Sequence, residues 1–467
     1  MKIKHIIAAF TLGAASLATL AADAPKYVFY FIGDGMGLAP VAATEQYRRL
    51  FLKEDSLLLM NRFPVTSYAY TYSANRPITD SAAAGTALST GSKTNNGMIA
   101  MNADTVSVIS IADQFKDKGY GVGVVTNVAP DDATPSVFYA HVPKRSQSYD
   151  INRQFPDGKV DFLAGAALRG AVDKEGKKTD IYDYYKSRNV AIAHGLDELK
   201  KVNYKKADKV VLLDKDPFQS GNIGYTIDSV PGRLTLVEIT NAAVDYLNQT
   251  SPDKFFLMVE GGAIDHALHG NDAKTAITDI IHFNDALQIA YDFMMKHPDE
   301  TLIVVTADHD TGGLSVGRKS GYNVYFDYLG AQKVSKEMFS YYCEQLLKSE
   351  KEPSWEDMEK YLKDKLGFWT IVPLKEKDTH KLQKNFHKVF VDRKGKSEKT
   401  LYNDFNNFAA EVWELLSEKA AIGFTTRSHT GNPVPVYAVG VGQEEFRNLN
   451  NNIDIPVKIR KIANLEK

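Results

Sequence analysis

Cysteine is nearly absent from this chain of 467 residues: there is one, Cys343. A lone cysteine closes no internal disulfide, so stability outside the cytoplasm must come from elsewhere, packing first. Net charge is missing too. The 56 Lys and Arg stand against 58 Asp and Glu, a balance of -2. That gives no long-range pull towards nucleic acid or an anionic membrane, so no nucleic-acid specificity is expected. Long apolar runs are wanting beyond the first 22 residues, which leaves the mature chain without a membrane span. Repeats and low-complexity segments are also lacking. What remains is an ordinary globular composition, 44% hydrophobic and 24% charged. The length suits one large α/β domain with insertions.

The first residues read as an address. Lys2, Lys4 and His5 precede an apolar stretch from Ile6 to Leu20, and Ala21 and Ala22 follow. This is the pattern of a signal peptide over residues 1–22. The mature protein, residues 23–467, is then an exported, periplasmic or secreted, single domain.

Four dense apolar runs read as buried strands: 26–32, 119–126, 254–259 and 301–306. Helical patterns stand between or after them, at 40–53, 106–118, 235–248 and 272–297, and a short one runs up to Tyr139. A last strand is expected at 434–439. Strands alternating with helices predict an α/β fold of three layers, with a large mostly parallel sheet and helices on both faces. Two regions stand apart. Residues 157–231 read as irregular and polar. Residues 314–421 read as a large insertion before the last strand, with helices near 335–349, 355–366 and 403–419 and nothing catalytic in it.

Ligands in such folds bind beyond the carboxyl ends of the strands. Asp34, Asp132, Glu260, Asp265, Asp308 and His309 all follow apolar runs closely. Gly33–Gly37, around Asp34, is equally a plain turn or a close backbone approach to a ligand. Asp265 and His269 are one helical turn apart, and His309 adjoins Asp308. With His429, in a Ser/Thr/Gly loop, these acids and imidazoles suit zinc. Glu260, Asp34 and the Thr134 hydroxyl make an all-oxygen set of the kind magnesium takes. Arg145 is either a solvated surface arginine or a bidentate phosphate clamp. Ser81, after Asp80, opens an alanine-rich helix. Alone it is an ordinary helix start. Beside two metals it is a nucleophile activated by coordination, since no histidine neighbours it in the chain.

The ordered set GDGMG (33–37), TDSAAAGTALSTG (79–91), DATP with HVPKR (132–145), VEGGAIDHALH (259–269), TADHDTGG (306–313) and SHTG (428–431) closely resembles the alkaline phosphatase family. The matching segments run from about 26 to 313 and again from 425 to 442. The resemblance implies hydrolysis of small phosphate monoesters by two in-line displacements through a phosphoserine at Ser81. Arg145 would clamp the phosphate and Asp80 would steady Arg145. One zinc would lie on Asp265, His269 and His429, and a second on Asp34, Asp308, His309 and the deprotonated Ser81. One magnesium would lie on Asp34, Thr134 and Glu260, with Asp132 acting through water. The family also implies a homodimer.

Three departures accompany the resemblance. Asp132 matches the enteric form and His266 the animal form, so the pair leaves open magnesium, zinc or cobalt at the third site. The disulfides of the enteric form are absent. The 314–421 region is longer than its enteric counterpart and resembles crown-type or interface insertions. A phosphodiesterase or sulfuryl-transfer enzyme on the same two-metal core is the alternative, and Arg145 with the Glu260/Thr134 set argues for monoesters.

Overall fold

The computed structural model describes residues 24–218, 221–229, 231–319, 321–350 and 352–466. The expected leader, residues 1–22, lies outside them. A nine-stranded sheet is the backbone of the fold. Its strands are β1 (Tyr27–Gly33), β2 (Val65–Ala69), β3 (Gly121–Thr126), β4 (Phe162–Gly165), β5 (Val190–His194), β6 (Lys209–Leu213), β7 (Phe255–Gly261), β8 (Thr301–Thr306) and β9 (Val434–Gly440). Their order across the sheet is β2-β9-β8-β1-β7-β3-β4-β6-β5. All pairings from β8 to β5 are parallel, and β9 runs antiparallel between β2 and β8.

The apolar runs form the middle of this sheet because helices cover both of its faces, so no alternation is needed. Every residue of β1, β3, β7 and β8 is buried. Phe115 stacks on Phe256 at 4.7 Å between ring centres, and Phe283 meets Phe31 edge-on at 5.6 Å. The helices that matter most for the site are α1 (Ser81–Thr90), α2 (Leu236–Thr250), α3 (Ala263–His269) and α4 (Ala273–Met294). Among the described residues no helix is long and apolar enough to cross a membrane.

The structure corrects several sequence expectations. Residues 157–231 are not irregular: they hold β4, β5 and β6, the three strands at one edge of the sheet. These strands are only four or five residues long, too short for a clear apolar run among Lys- and Asp-rich turns. The helix expected over 106–118 covers only Ile111–Asp117, capped by Ser110 and Asp113. Val106 and Ile109, which extended the apparent period, are exposed. The helix before Tyr139 is a single turn, Ala133–Ser136.

Between β8 and β9 four helices, α5 (Lys336–Lys348), α6 (Trp355–Leu366), α7 (Glu376–Phe386) and α8 (Asn407–Ala420), share a second core built on Phe339, Leu362, Leu382, Phe408 and Trp413. The polar sequence of α7 hid it, because the helix has only two apolar side chains, Leu382 and Phe386, both buried in that core.

Asp279, buried on α4, binds the loop ahead of α2. Its Oδ1 accepts from the Thr226 amide (3.1 Å) and hydroxyl (2.7 Å). Burial pushes this carboxyl up to about 7. A raised acid contributes stability that is full below its unfolded value near 3.8 and is lost as pH rises through about 7. Asp279→Asn should therefore gain on the wild type steadily from pH 4 to 7 and no further above. Melting temperatures of both proteins across that range check this, and a gap that does not change with pH would contradict it.

Candidate active site

The site lies beyond the carboxyl ends of the central parallel strands. Asp34 directly follows β1, Glu260 is near the end of β7, and Asp308 and His309 follow β8. His429 precedes β9. Because β9 is antiparallel, its beginning lies on the same edge of the sheet as the ends of its neighbours. Gly35 and Gly37 permit the crowding there. Gly35 has φ +70°, and a Cβ on it would stand 2.7 Å from Asp265 Oδ1; on Gly37 it would stand 2.0 Å from Asp310 Oδ1. The glycines thus make a tight turn that the side chains of Asp265 and Asp310 can approach closely.

Ser81 is the first residue of α1, buried, with Asp80 as the N-cap. Asp80 Oδ1 accepts from the Ala83 amide and its Oδ2 from the Gly97 amide, both at 3.0 Å. These bonds fix the helix start and leave the Ser81 hydroxyl at the positive end of the helix. Ser81 Oγ lies 3.1 Å from His309 Nε2. Ser81 and His309, which the family resemblance assigned to one metal, are thus neighbours in space though no histidine adjoins Ser81 in the chain. The two residues are 228 positions apart, so nothing local in the sequence could bring them together.

Asp34, Asp308 and His309 form one tight group. His309 Nε2 is 3.4 Å from Asp34 Oδ1 and 3.1 Å from Asp308 Oδ2. Asp265, His309 and His429 form another, with donor atoms within 4.8 Å of one another. His269 Nε2 joins it at 3.3 Å from Asp265 Oδ2 and 3.1 Å from His429 Nε2. The outer nitrogens explain this orientation. His269 Nδ1 faces the carbonyl of Arg427, and His429 Nδ1 that of Thr79 at 2.9 Å. A carbonyl only accepts, so each Nδ1 carries the proton and each Nε2 turns a lone pair inward. Thr134 Oγ1 sits 3.3 Å from Asp34 Oδ2 and 3.4 Å from Asp308 Oδ2. Glu260 is held by the Thr126 hydroxyl.

These donors fit cations. Burial, then the neighbouring carboxylates, pushes Asp34 well above the usual carboxylate range and Asp308 up to about 7; burial does the same to Glu260 against the Thr126 hydrogen bond. Burial holds His309 and His429 below their ordinary value, which keeps the imidazoles neutral. Asp34 Oδ1 and Asp265 Oδ2 are buried without a hydrogen-bond partner. Buried acids at such spacing with neutral imidazoles and orphaned oxygens make a site for positive charge.

On the other side of Ser81 lie the arginines. Arg145 Nη1 approaches Asp80 Oδ2 at 3.5 Å, and Nη2 donates to Asp132 Oδ1 at 3.0 Å. Asp132 also binds Arg169 Nη2 at 2.9 Å. Burial opposes ionisation of Asp132, but Arg169 and then Arg145 outweigh it and hold the carboxyl well below its ordinary value. His266 Nε2 stands 3.9 Å from Asp132 Oδ2. Burial lowers this imidazole to about 4, so it is neutral at pH 7. Every site residue expected from the sequence is therefore in one place. Two were missed. Arg169 lies in the region read as irregular. Tyr402, in the region read as free of chemistry, accepts from Arg145 Nη2 at 3.1 Å from a distance of 257 positions; no local signal could place it.

The alkaline phosphatase family model matches residues 25–465. The chain belongs to that family. Alkaline phosphatase 3 of Bacillus subtilis is 32% identical over 459 residues, covering 94% of this chain and 89% of that one. A cold-active alkaline phosphatase from a psychrophilic Shewanella has a solved structure that superposes with a TM-score of 0.76 at 25% identity, covering 94% of this chain and all of that one. A histidine variant of the alkaline phosphatase from the Antarctic bacterium TAB5, solved with Mg in its M3 site, shares the fold at a TM-score of 0.65 and 23% identity, covering 96% of this chain and 100% of that one. The chain is thus an alkaline phosphatase by family, a metal-dependent hydrolase of phosphate monoesters.

Within this alkaline phosphatase Asp132 is the one counter-charge shared by two buried or half-buried guanidiniums. Asp132→Ala should cost about 3–5 kcal/mol, the usual loss when one partner of a buried ion pair is removed. Urea unfolding of the metal-loaded protein measures it, and a loss under about 1 kcal/mol would mean that water replaces the carboxylate freely.

Proposed function

We propose that the reaction passes through a covalent phosphoserine at Ser81. The observation that carries this reading is the Ser81 hydroxyl, at the start of a buried helix, aimed at the acid and histidine cluster with Arg145 alongside. Arg145 receives the phosphoryl oxygens on its planar fork, and Asp80 and Asp132 hold that fork in place. Ser81 Oγ forms the new bond to phosphorus as the bond to the ester oxygen breaks, and the alcohol leaves. Water then attacks the phosphoserine in line, Ser81 Oγ is released, and inorganic phosphate departs. The buried N-terminus of α1 favours the negative charge in both steps.

In this reading zinc belongs to Asp265, His269 and His429 and to Asp34, Asp308, His309 and Ser81. Magnesium belongs to Asp34, Thr134 and Glu260, with Asp132 behind a water. Magnesium in the TAB5 variant is consistent with a third, oxygen-rich site. Such ions, when bound, neutralise phosphoryl charge and lower the pKa of a coordinated hydroxyl. The leader at 1–22 makes the enzyme an exported one.

The test uses the mature protein with zinc and magnesium on an aryl phosphate monoester, a diester and a sulfate. The monoester should be strongly preferred at alkaline pH and its hydrolysis lost with chelator. Ser81→Ala should lower kcat at least about a thousandfold, as removal of a covalent nucleophile does elsewhere. Preference for the diester, or full activity in Ser81→Ala, would sink the reading.

A further inference from the structure

Tyr402 sits at the tip of a hairpin, Ser397–Lys399 paired with Asp404–Asn406, that leads into α8. Its phenol oxygen accepts from Arg145 Nη2. Its ring lies over His266, 3.8 Å between centres, and meets His269 edge-on at 5.4 Å. One side chain therefore touches the phosphate clamp and two histidines of the site at once.

The hairpin holds that side chain firmly. Glu398 Oε1 binds Lys336 Nζ at 2.8 Å, and Oε2 binds Arg427 Nη2 at 2.7 Å. Arg427 is the residue whose carbonyl faces His269 Nδ1. Beyond the tip, Asn403 Nδ2 donates to Glu337 Oε2 at 3.0 Å and the Asn406 amide to Ser340 Oγ at 2.7 Å. Both strands are thus tied to α5, and the first also to the loop that carries His429. A long arginine with three rotatable partners and solvent on one side loses entropy when it must hold one pose. Anchoring one of those partners on a rigid hairpin reduces that loss before substrate arrives.

The chemistry of the third partner matters. Asp80 and Asp132 orient Arg145 but also cancel its charge. A neutral phenol orients the same fork and leaves the cation available to an anion. Resting on the phosphoserine reading, we propose that Tyr402 is a positioning residue for phosphate, holding the Arg145 guanidinium in the plane that receives phosphoryl oxygens. The region between β8 and β9 then contributes directly to phosphate recognition in its own chain.

The experiment measures competitive inhibition by inorganic phosphate, with kcat and KM on an aryl phosphate, for the wild type, Tyr402→Phe, Arg145→Ala and the double variant, all loaded with zinc and magnesium. Tyr402→Phe removes one hydroxyl and keeps the ring. It should raise the phosphate Ki and the KM about fivefold to tenfold, the size of one ordinary hydrogen bond, with the smaller part of the change in kcat. In the Arg145→Ala background the same substitution should change Ki less than about twofold. An unchanged Ki in Tyr402→Phe would overturn the inference. So would an equal rise in both backgrounds, or a loss of bound zinc that accounts for the rise. A wild type that neither turns over the monoester nor is inhibited by phosphate would overturn the phosphoserine reading as well, which keeps the two failures apart.

Discussion

Packing carboxylates together without water is the constraint on which the rest of this molecule depends. Asp34, Glu260, Asp265 and Asp308 are all buried within one small volume. Like charges at that spacing raise one another's cost of ionisation, and burial multiplies it. The chain meets that cost partly with its own groups. The amides of Gly35 and His309 donate to Asp308 Oδ1 at 3.0 and 2.9 Å, and the Thr311 hydroxyl donates to Asp265. The remainder calls for cations, which is why a metal-dependent family and an acid-rich strand edge go together. The parallel sheet is what makes the concentration possible. It brings the ends of β1, β3, β7 and β8 to one edge and covers the strands themselves with helices.

Beside the acids stands the opposite arrangement. Asp132 lies between Arg145 and Arg169 and pairs with both, and Asp80 faces Arg145 from the helix start. Ser81 starts its helix at the boundary between these two fields. A phosphate monoester, an anion with an oxygen to expel, is suited to such a boundary: its charge is held from one side while its reacting bond faces the other.

Much of this was legible in the sequence because the informative residues are local to strong signals. Four apolar runs mark the central strands, and the acids that follow them fall at the strand ends by necessity. The glycines around Asp34 and the alanines after Ser81 are similarly local. What was not legible depends on distance or on brevity. Three strands of four or five residues, β4 to β6, are shorter than the patterns that separate a strand from a polar loop. Val106 and Ile109 imitated a helix period while facing solvent. Arg145 meets Tyr402 only through tertiary packing. Tyr402 was additionally masked by its surroundings, since a Lys- and Glu-rich hairpin carries no motif and its role comes from what α5 does to it.

The antiparallel β9 has a bearing on when the protein becomes an enzyme. Among the described strands β2 pairs with β9 alone, so an early segment waits on a late one. His429 arrives with the same late segment. Ribosomal synthesis delivers the N-terminal part first, and that part holds most of the acids and the serine. The histidine cluster stays incomplete until the segment that carries His429 is in place, where β9 pairs with β8 and gives β2 its partner. The last pairing of the sheet and the last histidine of the site thus come from one stretch of the chain.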